Sequence, residues 1–203
     1  MLITAIEPRR KSLSALFIDG EFAMNIDTET LLKSGFKLGR ELTDEQLHEL
    51  IQSSESRRAS EKALYLLEHR SHSQKELADK ISRVTTREAA EQAAQHMVDI
   101  GLVNDEEYAR SLAANLLGSK GFSASRTQQE LLQKGIDKEL AQQIIEEIAP
   151  DPVKKITALI HKKYIRTLND EKGRRRSIAA LQRLGFRWDD IRTALNQLNN
   201  EEE

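Results

Sequence analysis

A helical motif recurs three times along this 203-residue chain at a spacing of about fifty residues, and a recurrence of that period confines the fold to stacked helical units. Its anchors are Ser73-Gln74-Lys75-Glu76-Leu77, Gln129-Glu130-Leu131-Leu132-Gln133-Lys134-Gly135-Ile136 and Ala180-Leu181-Gln182-Arg183-Leu184-Gly185-Phe186. Matching their leucines places Leu131 54 residues after Leu77, and Leu181 50 residues after Leu131. The last two units agree furthest: Leu131 pairs with Leu181, Gly135 with Gly185, Ile136 with Phe186, Ala141 with Ile191, Ile144 with Ala194, Ile145 with Leu195 and Ile148 with Leu198. One such unit exposes too narrow an apolar stripe to fold securely alone, so neighbours must share burial.

The chain divides accordingly. Residues 1–42 form a small β-rich element, 43–56 a connecting helix, and 57–103, 104–150 and 151–203 three helical repeats, the last ending in the acidic Glu201-Glu202-Glu203, expected to fray. Before residue 27 apolar and polar residues alternate through Leu13, Ala15, Phe17 and through Phe22, Met24, Ile26, with Asp19-Gly20 between them as a hairpin turn. Leu2 to Glu7 reads as a third strand, and Thr28 to Ser34 as a short helix stopped at Gly35. Thr43 caps a helix running to about Arg70, with an interruption expected at the weak helix formers Gln52 to Ser56.

Within the repeats, the capping boxes Ser73-x-x-Glu76 and Thr85-x-x-Glu88 open two helices, and Ala89, Ala93, Met97 and Ile100 lie at helical spacing. Gly101, Gly135 and Gly185 end helices, Gly118 to Gly121 turns the chain, and Asp137 and Asp151 cap, with Pro152 at a first helical position where its missing donor costs nothing. The fold class is therefore mainly α: an elongated, curved array of three tandem three-helix repeats preceded by a small antiparallel β-hairpin or sheet. A curved array presents a long face to a long partner.

Charge is unevenly distributed. Lys154 to Arg192 holds twelve basic and four acidic residues, a net of +8, which leaves the rest of the chain at −10. Within it Lys162, Lys163, Arg166, Arg174, Arg175, Arg176 and Arg187 interleave with aromatic residues, of which Tyr164 and Phe186 fit the buried stripe, while Trp188 is open to packing on the array's end or to stacking on a base or a guanidinium. These seven cations and Trp188 are the candidate binding residues, for DNA or for a protein bound to it.

Other chemistry finds little support. The chain has no cysteine, so thiolate metal sites, disulfides and cysteine nucleophiles are excluded, a composition compatible with a reducing compartment. The N-terminus lacks the order of a secretory signal and no apolar run reaches membrane-spanning length, so a cytoplasmic location without membrane contact is the default. Of the five histidines, only His69 and His72 could share a helix face, and Ser71-His72-Ser73 reads as a helix break, which disfavours a metal site. Gly118-Ser119-Lys120-Gly121 lacks the spacing of a phosphate-binding loop, and Gly121-Phe122-Ser123-Ala124-Ser125 lacks a nucleophile elbow's second glycine. The expectation is a protein without catalytic residues, cofactor, metal or small-molecule substrate.

Ala63-Leu64-Tyr65-Leu66-Leu67, Ser71-His72-Ser73-Gln74-Lys75-Glu76-Leu77, Gly101-Leu102-Val103-Asn104-Asp105-Glu106-Glu107-Tyr108-Ala109, Glu130-Leu131-Leu132-Gln133-Lys134-Gly135-Ile136 and Leu184-Gly185-Phe186 occur in an order that resembles the RecX family, bacterial regulators of the RecA recombinase. The resemblance covers residues from about 57 to 198. It implies a non-enzymatic regulator that binds RecA and its DNA filament and lowers ATP hydrolysis, strand exchange and co-protease function, with the basic third repeat facing DNA phosphates or an acidic RecA surface. A rival reading takes Ser73 to Leu102 as the helix-turn-helix of a transcription regulator, with a second helix near Arg87 to Ile100 in the major groove. Glu88, Glu91 and Asp99 on that helix weigh against it.

Overall fold

The computed structural model describes residues 1–10 and 12–201 and resolves into two compact units, Met1–Asn104 and Asp105–Glu203. The first opens with strands β1 (Ile3–Pro8), β2 (Leu13–Ile18) and β3 (Glu21–Asp27), an antiparallel sheet in the order β1-β2-β3. The hairpin falls where Asp19-Gly20 places it: both residues have positive φ, 51° and 89°, so the turn's twist matches that of the strands it joins. Helix α1 (Thr28–Ser34) follows, capped by Asp27 and ended at Gly35 with φ 69°. Its Leu31, with Ile3, Leu16, Ile26, Leu42 and Leu50, forms the core beneath the sheet.

Helix α2 (Asp44–His69) starts in a complete capping box between Thr43 and Gln46 and runs unbroken for 26 residues. The interruption expected at Gln52 to Ser56 is absent, because tertiary contacts outweigh poor local propensity there. Ser54 is buried and its hydroxyl accepts the Asp27 N–H at 2.8 Å. Glu55 accepts the Thr86 N–H at 2.9 Å and the Thr85 hydroxyl, and Arg57 pairs with Asp27, Glu29 and Glu61. The boundary at residue 56/57 thus falls inside one helix.

The second half of α2 packs with α3 (Gln74–Ile81) and α4 (Arg87–Asp99) around Ala59, Ala63, Leu77, Ile81, Ala90, Ala94 and Met97. Alanine at so many contact positions lets these helices approach closely. Ser73 caps α3 as expected, whereas α4 is capped by Thr86, one residue later than the Thr85 box, because Thr85 is spent on Glu55.

The second unit contains α5 (Asp105–Asn115), α6 (Ala124–Gln133) and α7 (Lys138–Ile148), then α8 (Pro152–Leu159), α9 (Glu171–Arg183) and α10 (Trp188–Glu201). Each trio encloses its own core: Ala109, Ala113, Leu131, Ile136, Ala141 and Ile144 in one, Ile156, Ile160, Leu181, Phe186, Ile191, Ala194, Leu195 and Leu198 in the other. Gly101, Gly135 and Gly185 take positive φ at 76°, 82° and 93°, the left-handed geometry that closes a helix end. The chain does not turn at Gly118. A π-helical turn, Leu116–Lys120, carries on from α5, and the reversal comes at Gly121 with φ 72°. A second π turn, Ile160–Tyr164, extends α8 and passes into a short 3₁₀ turn, Ile165–Thr167.

Cap positions also correct the register of the first repeat. Ser73 and Ser123 both cap, 50 residues apart, which pairs Ile81 and not Leu77 with Leu131; Ile81 and Leu131 are both fully buried. Of the expected acidic tail, Glu202 and Glu203 lie outside the described residues.

Candidate nucleic-acid and protein interface of the third repeat

Two sets of basic residues emerge where the sequence suggests one. The first gathers at the corner between α8 and α9. Lys162 and Lys163 lie on the π turn, Arg166 on the 3₁₀ turn, and Arg174, Arg175 and Arg176 in the first half of α9, all six exposed. The corner is held from within. The Thr167 and Ser177 hydroxyls lie 2.7 Å apart, Ser177 donates to the Gly173 carbonyl at 3.0 Å, and Asp170 accepts the Gly173 N–H at 2.7 Å as the helix cap. An ideal Cβ on Gly173 would stand 2.0 Å from the Thr167 carbonyl oxygen, so only glycine allows this approach.

Arg187 and Trp188 lie beyond the other end of α9, whose axis rises about 13 Å from Arg174 to its last residue, Arg183. There the last carbonyls of α9 take donors from the preceding repeat: the Ser123 N–H reaches Leu184 O at 2.9 Å, the Ser123 hydroxyl reaches Gly185 O at 2.8 Å, and the Arg126 guanidinium reaches Arg183 O. These bonds satisfy groups that a helix end leaves open. Gly185 is held to glycine twice, by its φ and by Ser123 Oγ 2.6 Å from where a Cβ would be. Trp188, the first residue of α10, is 47% exposed, while Phe186 is buried and Tyr164 packs against the core, as their place in the stripe requires.

The cations differ in what neutralises them. In the first unit Arg57, Arg58, Arg70 and Arg87 meet carboxylates while Arg40 and Arg83 meet none among the described residues, and in the second repeat Arg110 bridges Glu106 and Glu147 at 3.0 and 2.6 Å. In the third repeat Arg175 pairs with Glu171, whereas Lys162, Lys163, Arg166, Arg174, Arg176 and Arg187 have no carboxylate partner among the described residues. Two arginines at equivalent places in successive repeats show the contrast. Arg126 and Arg176 are equivalent, 50 residues apart, and Arg126 is consumed by stacking 3.9 Å above the Phe122 ring and by bonding the next repeat's Arg183. Arg176 is exposed and has no carboxylate partner among the described residues. Sequence reading missed Arg126 as a joint residue, although the period of fifty held the signal.

No cluster of three or more metal-ligating side chains occurs among the described residues, and no described helix is long and apolar enough to cross a membrane. On α4 the exposed side carries Glu88, Glu91 and Asp99, a poor match for phosphate.

Comparison with known proteins bears on this arrangement. Residues 104–145 match the model of the RecX second three-helix domain. The chain is 33% identical to the regulatory protein RecX of Caldanaerobacter subterraneus subsp. tengcongensis, over 97% of this chain and 99% of that one, and 27% identical to that of Bacillus subtilis, over 98% and 78%. Among solved structures it is similar to a crystal structure of regulatory protein RecX (TM-score 0.62, 19% identity, 96% of this chain and 98% of the other) and to that of RecX from Lactobacillus salivarius (TM-score 0.59, 22% identity, 72% and 98%). At such identities the structural likeness speaks to fold alone. With a relative one-third identical along nearly the whole length of both proteins, and its own second helical trio matched by the family's model, the chain belongs to the RecX family of regulatory proteins.

Proposed function

We propose that this protein is a non-enzymatic regulator that binds the RecA recombinase and its DNA filament and lowers recombinase, ATP-hydrolysing and co-protease activity. The observation that carries the reading is the density of exposed cations without a carboxylate partner in the third repeat, Lys162, Lys163, Arg166, Arg174, Arg176 and Arg187, within a segment of net charge +8. An exposed arginine with no partner keeps its full charge for a polyanion or an acidic protein surface. Lys172 and Arg174 also lie near the positive end of the α9 dipole, where local electrostatics disfavour a cation, so helix stability does not account for them. Placement against a local rule points to use by a partner.

The rival transcription-regulator reading requires α4 to enter a DNA groove with acidic residues outward, and it is not favoured. The deciding experiment titrates the protein into single-stranded-DNA-dependent ATP hydrolysis by RecA. Suppression is expected at or below equal concentration, and Arg174→Glu with Arg176→Glu should require about tenfold more protein at unchanged helicity. Hydrolysis and strand exchange that stay constant across a wide titration would overturn the proposal.

A further inference from the structure

Within the second unit, α5 with its π turn and α8 enclose a groove of about 750 Å³ that belongs to neither basic cluster. Its apolar lining comes from Leu117, Ile148, Pro150 and Ala158, and its charged lining from Arg110, Lys154 and Lys155. Arg110 is already matched by Glu106 and Glu147. The two lysines are not. Lys154 has no carboxylate partner among the described residues, and the half-buried Lys155 donates only to the Phe122 carbonyl at 2.8 Å, so two of its three protons have no protein acceptor there. Burial pushes the Lys155 ammonium below the usual lysine range, a cost that a carboxylate brought alongside would relieve.

We infer that this groove is a docking site for an acidic peptide segment of a partner protein, one that places a large apolar side chain on Leu117 and Ile148 and carboxylates beside Lys154 and Lys155. Charge complementarity selects the sign of the occupant, because two ammonium groups without a carboxylate partner among the described residues flank the apolar surface. The surface itself selects the class. It is aliphatic throughout and offers no aromatic ring for a base to stack on, which single-stranded nucleic acid would need, whereas an amphipathic peptide uses such a groove directly. The volume falls within the range of sites that take a few side chains. The π turn helps to open the site. It widens the backbone at Leu116–Lys120 and leaves Gly118, where an added Cβ would meet nothing within 4 Å, on the groove wall. This inference does not rest on RecA being the partner.

The test is selection of random 12-residue peptides on phage against the full-length protein, followed by affinity measurement on synthetic copies. Enrichment of sequences with Asp or Glu next to Leu, Phe or Trp is expected. Their binding should fall at least tenfold in Lys154→Glu and in Ala158→Trp, which fills the groove from an exposed position. Arg174→Glu with Arg176→Glu should leave it unchanged, separating this site from the basic corner. No enrichment, enrichment of basic peptides, or binding indifferent to both groove variants would overturn the proposal, as would displacement of the peptide by a short oligothymidine. A gain in affinity on removing residues 201–203 would instead make the protein's own acidic tail the occupant and equally defeat a partner segment.

Discussion

Two glycines on the same chain carry opposite meanings. At Gly173 the Thr167 carbonyl stands where a Cβ would go, so Gly173→Ala must push the 3₁₀ turn off α9 at a cost of about 1–3 kcal/mol. Gly118 lies in helical backbone with open space around it, and Gly118→Ala should be neutral or stabilise by about 0.5–1 kcal/mol. Urea unfolding of the two variants decides the matter, and equal midpoints would contradict the corner geometry. His72 supplies a pH effect. Its ring is buried, and burial, only partly offset by the Glu76 hydrogen bond at 3.1 Å, holds its pKa below the ordinary 6.5. The unfolded chain therefore binds this proton more readily than the folded one, and stability is complete above about 6.5 and lost as pH falls from there through the depressed folded value. Thermal midpoints measured from pH 7.5 to 5.5 should decline, and His72→Gln should flatten that part of the curve.

At the scale of the element, helix ends were the most legible part of the sequence, because a cap is a contact between residues three apart. Thr43, Ser73, Asp137 and Asp151 cap as their positions predict. What could not be read locally was decided from a distance. Ser53 to Ser56 looks like a break by composition, yet Ser54 holds Asp27 and Glu55 holds Thr86, 27 and 31 residues away in sequence. The same contact moved the α4 cap from Thr85 to Thr86. Ser54→Ala should cost about 1–3 kcal/mol by leaving the Asp27 N–H unanswered in the interior. Its exposed neighbour offers the control: Ser53→Ala should cost nothing and slightly favour the helix. Matching losses for both in a denaturant titration would put Ser54 on the surface and restore the expected break.

For the whole molecule, the repeat period and the charge asymmetry were visible without coordinates, and they account for the trio plan and for the basic third repeat. Division of the basic residues into two groups was not visible, since it depends on α9 separating Arg174 from Arg187. Neither was the groove beside Lys155, which requires α8 to return beside the end of α5 and its π turn, Lys155 meeting Phe122 33 residues back in the sequence. The charge distribution predicts salt-dependent association with single-stranded DNA. For every phosphate left unneutralised, the slope of log K against log salt should shrink by about 0.7, so Arg174→Glu with Arg176→Glu should reduce it by at least about 1.4. A slope equal to that of the unaltered protein, measured by fluorescence anisotropy between 50 and 200 mM salt, would take the corner out of the DNA interface.

The unbroken α2 has a mechanical consequence. One rod of 26 residues threads the hydrophobic centre under the sheet through Leu50 and that of the first trio through Ala59 and Ala63, with no flexible joint between them. Torsion applied at the N-terminal strands therefore travels to α3 and α4 instead of dissipating in a linker, and the two lobes of that half turn as a single lever.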